Sequence, residues 1–329
     1  MKKIKMNKKG FEFSFAWLFS IIAGSAILFL AIFAATRLIT SGEYETNTKT
    51  AADFKVILDP LGTSFESAKS ERIEFIKETR IYLGCNEKLG DFGESSIQLS
   101  EKSSFKEEWT NPGGKISTKN QYLFAENIIE GKELYFLVTP FEMPYKVSDV
   151  MSIFSGSYCF VAPPQNIKNE IIDLSRNGII PINVTTSKTA CPQNSKTVCF
   201  QSGGCDINVQ GTCNSRSCRG NVFKSGIVEK GGKRIYYSGG LMYGAIFSSV
   251  ENYECNVARL MKKTGYVSKI YADKSKLVSD RCNTGLTSDT FLLSQMAESY
   301  KKLDDLKLIE MQAEIIDDKN NVLGECNLY

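Results

Sequence analysis

The stretch Lys8-Lys9-Gly10-Phe11-Glu12-Phe13-Ser14-Phe15-Ala16-Trp17-Leu18-Phe19-Ser20, running on to Thr40, decides how the rest of the chain is read. Residues 15–35 contain no charged residue and no proline. At about 1.5 Å of rise per residue this helix spans roughly 30 Å, the thickness of a bilayer's hydrocarbon core. Five lysines (Lys2, Lys3, Lys5, Lys8 and Lys9) precede it, and Arg37 follows before the acidic Glu43 and Glu45. The positive-inside bias then leaves the N-terminus in the cytoplasm and the bulk of the chain outside, as a single-pass protein of the cell membrane in contact with lipid.

Three fates of this segment compete. A cleaved secretory signal has an apolar region of about 7–15 residues followed by a small-residue cleavage site. Here the run is longer, and Ala34-Ala35-Thr36-Arg37 makes a poor site. An uncleaved signal anchor is the plain alternative. The third rests on Lys8-Lys9-Gly10-Phe11, a short basic leader ending in glycine against a long apolar helix. It resembles the class III signal of type IV prepilins, the archaeal ones in particular, over about residues 8–40. That resemblance implies cutting by a prepilin peptidase between Gly10 and Phe11, with the helix kept as anchor or filament core. The family's glutamate at the fifth mature position is Phe15 here, and the carboxylate is instead Glu12 at the second. In the family that glutamate meets a neighbouring subunit's amine, so Glu12 is the contact residue the resemblance leaves.

Ala16, Ser20 and Gly24 are spaced by four and form a small-residue ridge, the kind of surface through which membrane helices approach one another. A second copy, or another pilin-like subunit, is the partner such a ridge implies.

Net charge is +3, but residues 1–10 hold five lysines and no acid, which leaves −2 for the remainder. The exterior part is near neutral, and nothing in it points to nucleic acid. The chain has no histidine. Ser-His-Asp and Cys-His catalysis, histidine zinc sites and histidine pH switches are thereby excluded.

The ten cysteines are Cys85, Cys159, Cys191, Cys199, Cys205, Cys213, Cys218, Cys255, Cys282 and Cys326. All follow the apolar helix, as disulfides formed in an oxidising compartment would. Five lie between Cys191 and Cys218, so with all ten bonded at least one of them pairs outside that cluster. A zinc site built from four cysteines is the rival reading, but the cluster lacks a CxxC knuckle.

The segments predict a mixed α/β exterior domain carrying a disulfide-rich insertion on the single N-terminal transmembrane helix. Residues 1–10 form a basic leader, 11–40 the transmembrane helix, 41–60 a helical stalk and 61–329 the domain. Residues 71–83 and 96–100 read as strands and 111–114 as a loop, while 120–129 fit either a short helix or a strand. Apolar runs at 133–138, 157–162 and 179–184, separated by helical spacing over 145–154 and 166–176, predict a βαβαβ unit with a parallel sheet. Residues 187–222 are the cysteine-rich insertion, and 226–237 a hairpin turning at Gly231-Gly232. From 240 to 329 the chain is mostly helical, with helices over 241–263, 268–279 and 290–315. In the last, Leu292, Leu293, Met296, Tyr300, Leu303, Leu306 and Ile309 make an apolar stripe.

A parallel sheet would place a ligand at its strands' carboxyl ends, yet no GxGxxG or GxxxxGK[ST] is present, and no cofactor is called for. The glycines of Ser238-Gly239-Gly240 read first as what a tight strand-to-helix turn needs, with exposure of Ser238 or backbone amides to an anion as the alternative. Glu142 and Asp149 are the only carboxylates placed where catalysis could use them. Asn183-Val184-Thr185 is a glycosylation acceptor. Two functional classes remain: a pilin-like or simply anchored surface protein acting in adhesion, assembly or envelope structure, and an anchored enzyme or small-molecule receptor working without histidine.

Overall fold

The fold is taken from a computed structural model, which describes residues 15–61, 69–103, 107–175, 180–200, 203–211, 224–279 and 285–329. The leader, Gly10, Phe11 and Glu12 lie outside these residues, as do Cys213, Cys218 and Cys282.

One unbroken helix, α1 (Phe15–Leu61), opens the molecule. Its 47 residues reach about 70 Å. The strand β1 (Lys69–Asn86) follows, then β2 (Glu94–Glu101), β3 (Ile116–Thr118), β4 (Leu123–Phe124), β5 (Ile128–Glu142) and β6 (Lys146–Phe154). Together they form one six-stranded sheet in the order β3-β2-β1-β5-β6-β4, antiparallel except for the β4–β6 pair. The register of β1 on β5 shifts between Glu74 and Thr79, so two long strands are joined across an irregularity.

Side chains alternate across this sheet, as the pleat requires. Leu134, Phe136 and Val138 of β5 join a cluster with Ala51, Phe54 and Leu58 of α1. Tyr135 and Leu137, on the other face, belong to a larger core shared with the rest of the molecule. Two-sided burial is what makes residues 133–138 a continuous apolar run. The same holds for β6, where eight of nine residues are buried. Residues 145–154, expected to be helical, are therefore strand; apolar side chains on both faces of a strand mimic helical spacing.

The second sheet comprises β7 (Tyr158–Val161), β8 (Ile182–Thr185), β9 (Lys196–Phe200), β10 (Ile207–Gly211), β11 (Ser225–Lys230) and β12 (Lys233–Ser238), in the order β12-β11-β10-β9-β7-β8. The helix α2 (Gln165–Leu174) joins β7 to its parallel neighbour β8, and β7 also pairs in parallel with β9. One βαβ turn of the expected unit thus exists. The five-element βαβαβ unit does not, because β5 belongs to the first sheet and β6 is not a helix. The β11–β12 hairpin turns at Gly231 and Gly232, both at positive φ, where glycine carries no steric penalty.

Helices α3 (Leu241–Phe247), α4 (Val250–Ser279), α5 (Leu286–Glu298) and α6 (Leu303–Asn321) complete the chain. The expected break between 263 and 268 is absent, and α4 runs through it. The expected single helix over 290–315 is instead two, parted at residues 299–302. Gly265, Ser268, Ala272 and Ser275 recur along one side of α4. A Cβ at Gly265 would lie 2.8 Å from Glu298 Cγ and 3.3 Å from Ser294 O, so α5 sits close against this small-residue side.

Candidate functional site

The feature that divides the molecule is α1, whose two halves live in different surroundings. Its first 28 residues, 15–42, are exposed apart from a half-buried Ala23. An 18-residue window there reaches a mean hydropathy of 2.5 and buries nothing within the chain, which makes the segment long and apolar enough to cross a membrane. The hydroxyls of Ser20, Ser25, Thr36 and Thr40 are satisfied inside the helix. Ser20 Oγ donates to Ala16 O at 2.8 Å, Thr36 Oγ1 to Ile32 O at 3.0 Å and Thr40 Oγ1 to Thr36 O at 2.9 Å. Hydrocarbon demands that of a spanning helix, because it offers no other partner. Ala16, Ser20 and Gly24 lie together on this exposed half, and a Cβ at Gly24 would meet nothing within 4 Å.

The second half docks. Asn47, Ala51, Phe54 and Leu58 are all buried and fall at helical spacing, so one stripe meets the first sheet. Phe54 sits between Phe75 and Phe136, with ring centroids 6.2 and 5.8 Å away. Polar contacts fix the depth. Asn47 Nδ2 donates to Thr110 Oγ1 (3.0 Å) and to Asn111 O (2.9 Å), while Gly114 N donates to Thr48 Oγ1 (2.6 Å). At the far end Gln121 Nε2 donates to Asp59 Oδ1 at 2.7 Å. A Cβ on Gly113 would stand 2.4 Å from Thr48 N, so this loop can lie against the helix only as glycine. Residues 41–60, expected as a helical stalk, are helical, and from Asn47 to Leu58 they pack on the sheet. The 47-51-54-58 spacing is the signal for this, and the hydropathy of the preceding stretch overshadows it.

Where the exposed half ends, a groove of about 910 Å³ opens between helix and sheet, lined by Thr36, Ile39, Thr40, Lys77, Glu101 and Trp109 among others. Its charges are largely paired within the chain: Lys77 meets Glu101 at 2.9 Å, Lys102 meets Glu78 at 3.1 Å, and the Arg80 guanidinium lies 4.3 Å over the Trp109 ring.

The remaining candidates scatter. Glu142 is exposed at the end of β5, opposite Lys146. Asp149 is buried and ion-paired with Lys146 at 2.9 Å. Neither borders the groove at α1 or a second one, of about 590 Å³, beside Cys85 and Cys255. Ser238 does not offer itself to an anion. Its Oγ donates to Glu310 Oε1 at 2.9 Å, and Tyr236 OH donates to the same carboxylate. Burial pushes the Glu310 carboxyl up, while the hydroxyls of Tyr236, Ser238 and Ser225 pull it back. An anion at this turn would face a carboxylate. Gly240 has its own reason to be glycine, since a Cβ there would lie 2.7 Å from Pro140 O.

Six cysteines are joined as Cys85–Cys255, Cys159–Cys191 and Cys199–Cys205, and Cys326 is also disulfide-bonded. Cys191 thus pairs outside the cysteine-rich stretch, as the odd count of five requires of at least one. Cys85–Cys255 ties β1 to α4. The other two bridges gather around β7 and β9, where Cys159, Val161 and Cys199 are buried with Cys191 and Cys205 against them. Thr185 Oγ1 lies 3.5 Å from Cys159 Sγ and 3.7 Å from Cys191 Sγ. The two disulfides thus cover one face of β7 and β9, the face opposite Phe160 and Val198 of the main core. Asn183 is exposed on β8, at the end of the sheet order.

Sequence reasoning missed Arg259. This α4 side chain is fully buried. It donates to Phe92 O (3.1 Å), Ser95 Oγ (2.6 Å), Asn256 Oδ1 (2.8 Å), Lys119 O (3.0 Å) and Gly93 O (3.4 Å), and lies 4.7 Å over the Tyr122 ring. Burial pushes the guanidinium down to about 10, so it remains a cation at neutral pH. A lone arginine in a helix gives no advance sign of such a role.

No family model, curated protein or solved structure matches the chain.

Proposed function

We propose that this chain is a single-pass membrane protein of the cell surface, pilin-like in plan, that works through its exterior body in adhesion, assembly or envelope structure. One observation carries the reading. A single helix is bare and apolar at one end and docked into a sheet at the other, with no break between. A rigid joint of that kind transmits position between a bilayer, or a helical filament core, and the exterior body. Disulfides after the apolar segment support an oxidising, exterior location for the body.

The test is intact and N-terminal mass spectrometry on protein extracted from its own membranes, with and without reductant. A chain beginning at Phe11, and ten protons lighter before reduction, supports a prepilin-like protein with five exterior disulfides. A chain that keeps its lysines removes the pilin-like part and leaves a signal anchor. Free thiols in the native protein contradict the exterior location itself.

A further inference from the structure

The groove between α1 and the first sheet lies where the bare half of the helix ends, and its level decides what fills it. With α1 in a bilayer, the reading proposed above on which this inference rests, residues 15–35 fill the roughly 30 Å hydrocarbon core. The whole bilayer measures about 40–45 Å, which leaves a polar layer roughly 5–8 Å deep on each side. At about 1.5 Å per residue that layer covers about the next five positions of the helix. Thr36, Ile39 and Thr40 stand at that level and form the groove's helical wall. Leu38 and Ile39 are 74 and 61 % exposed, apolar side chains that would otherwise face water. Trp109 stands across the groove, half-buried, an amphipathic ring of the kind that settles among headgroups.

Charge selects among headgroups. Lys77 and Lys102 of the groove are already held by Glu101 and Glu78. Glu43 and Glu108, which also line it, have no ion pair among the described residues. Arg37, beside the groove on α1, lies 5.6 Å over the Phe33 ring and meets no carboxylate among the described residues. The open charges are thus one cation and two carboxylates. They match the phosphate and the ammonium of a zwitterionic headgroup, whereas an anionic headgroup would meet the carboxylates with nothing added to hold it.

We infer that this groove seats zwitterionic phospholipid headgroups of the outer leaflet, and that Trp109 anchors the exterior body against the membrane surface. The body is then held at a fixed height by its own wall as well as by α1. The contact uses no part of the leader and stands whether or not the leader is cut.

The chain has two tryptophans, Trp17 and Trp109, which makes depth measurable by fluorescence. The full chain carrying Trp17→Phe, with Trp109 its sole indole, is reconstituted in phosphatidylcholine vesicles that bear a nitroxide either on the headgroup or deep in an acyl chain. The headgroup nitroxide should quench Trp109 at least about twofold more strongly than the deep one. Replacing part of the lipid by phosphatidylglycerol should leave that quenching unchanged. Trp109→Phe, which keeps Trp17 on α1, reports the anchor separately. If Trp17 is quenched while Trp109 is quenched no more than dissolved tryptophan amide, the inference is overturned and the anchor stands. Quenching of Trp109 chiefly by the deep nitroxide, or an increase of about twofold on adding phosphatidylglycerol, overturns it as well. If neither indole is quenched, the anchor fails and the inference fails with it.

Discussion

Replacing Arg259 by methionine tests how the helical layer is held to the first sheet. Methionine fills similar volume and removes every donor. The carbonyls of Phe92, Gly93 and Lys119 then lose their guanidinium partner inside the protein. A buried acceptor left without a donor costs about 1–3 kcal/mol, and three together on the order of 5 kcal/mol. Removing one member of a buried charged network gives a similar figure, about 3–5 kcal/mol. At roughly 2–4 °C per kcal/mol for a body of this size, about 5 kcal/mol lowers the melting temperature by about 10–20 °C. Arg259→Lys, which keeps the charge but loses the planar fork, falls in between. The assay is thermal unfolding of the full chain in detergent, followed by near-ultraviolet circular dichroism. A shift below about 3 °C for Arg259→Met refutes the reasoning, because water or relaxed backbone would then replace the guanidinium at little cost.

Gly113→Ala forces a Cβ against the backbone of Thr48, and overpacking of that kind costs about 1–3 kcal/mol; hydrogen exchange across residues 110–114 should quicken. Phe54→Ala should cost about 3–5 kcal/mol in thermal unfolding, whereas Phe29→Ala, at an exposed position, should leave unfolding unchanged and weaken partition into liposomes. Equal effects of the two phenylalanines on unfolding would deny that α1 is divided. For Glu310 the sign follows from burial. Its folded carboxyl titrates above its unfolded value near 4.5, so the native state holds the extra proton in that window and loses stability as pH rises through it. The melting temperature of Glu310→Gln minus that of the parent should therefore grow between about pH 4 and 7; a constant or shrinking difference in calorimetry contradicts the assignment.

How far the sequence led depends on whether local spacing or tertiary context decides an element. The apolar helix, β1, β2, α2 and the Gly231-Gly232 hairpin were legible because period, turn residues and composition agree there. Residues 145–154 were not, because β6 lies between two cores and both of its faces are apolar. The same two-sided burial made β5 look like a strand of a parallel sheet, although its neighbours run antiparallel. Half of the candidate site was visible in residues 15–35. The other half rests on Asn47, Ala51, Phe54, Leu58 and Gly113, whose meaning depends on a sheet assembled from distant strands. Glu142, Asp149 and Ser238 stood out only as chemistry-bearing residues near turns, and packing gave each a different use or none.

The most direct test of the central claim is protease protection on intact cells producing the full chain, followed by alkaline extraction of their membranes. Digestion from outside should remove the body beyond about residue 41 and leave a membrane-held fragment that contains residues 15–35 and resists extraction. A chain wholly protected from external protease, or released intact by alkaline carbonate, would contradict a single-pass anchor with an exterior body.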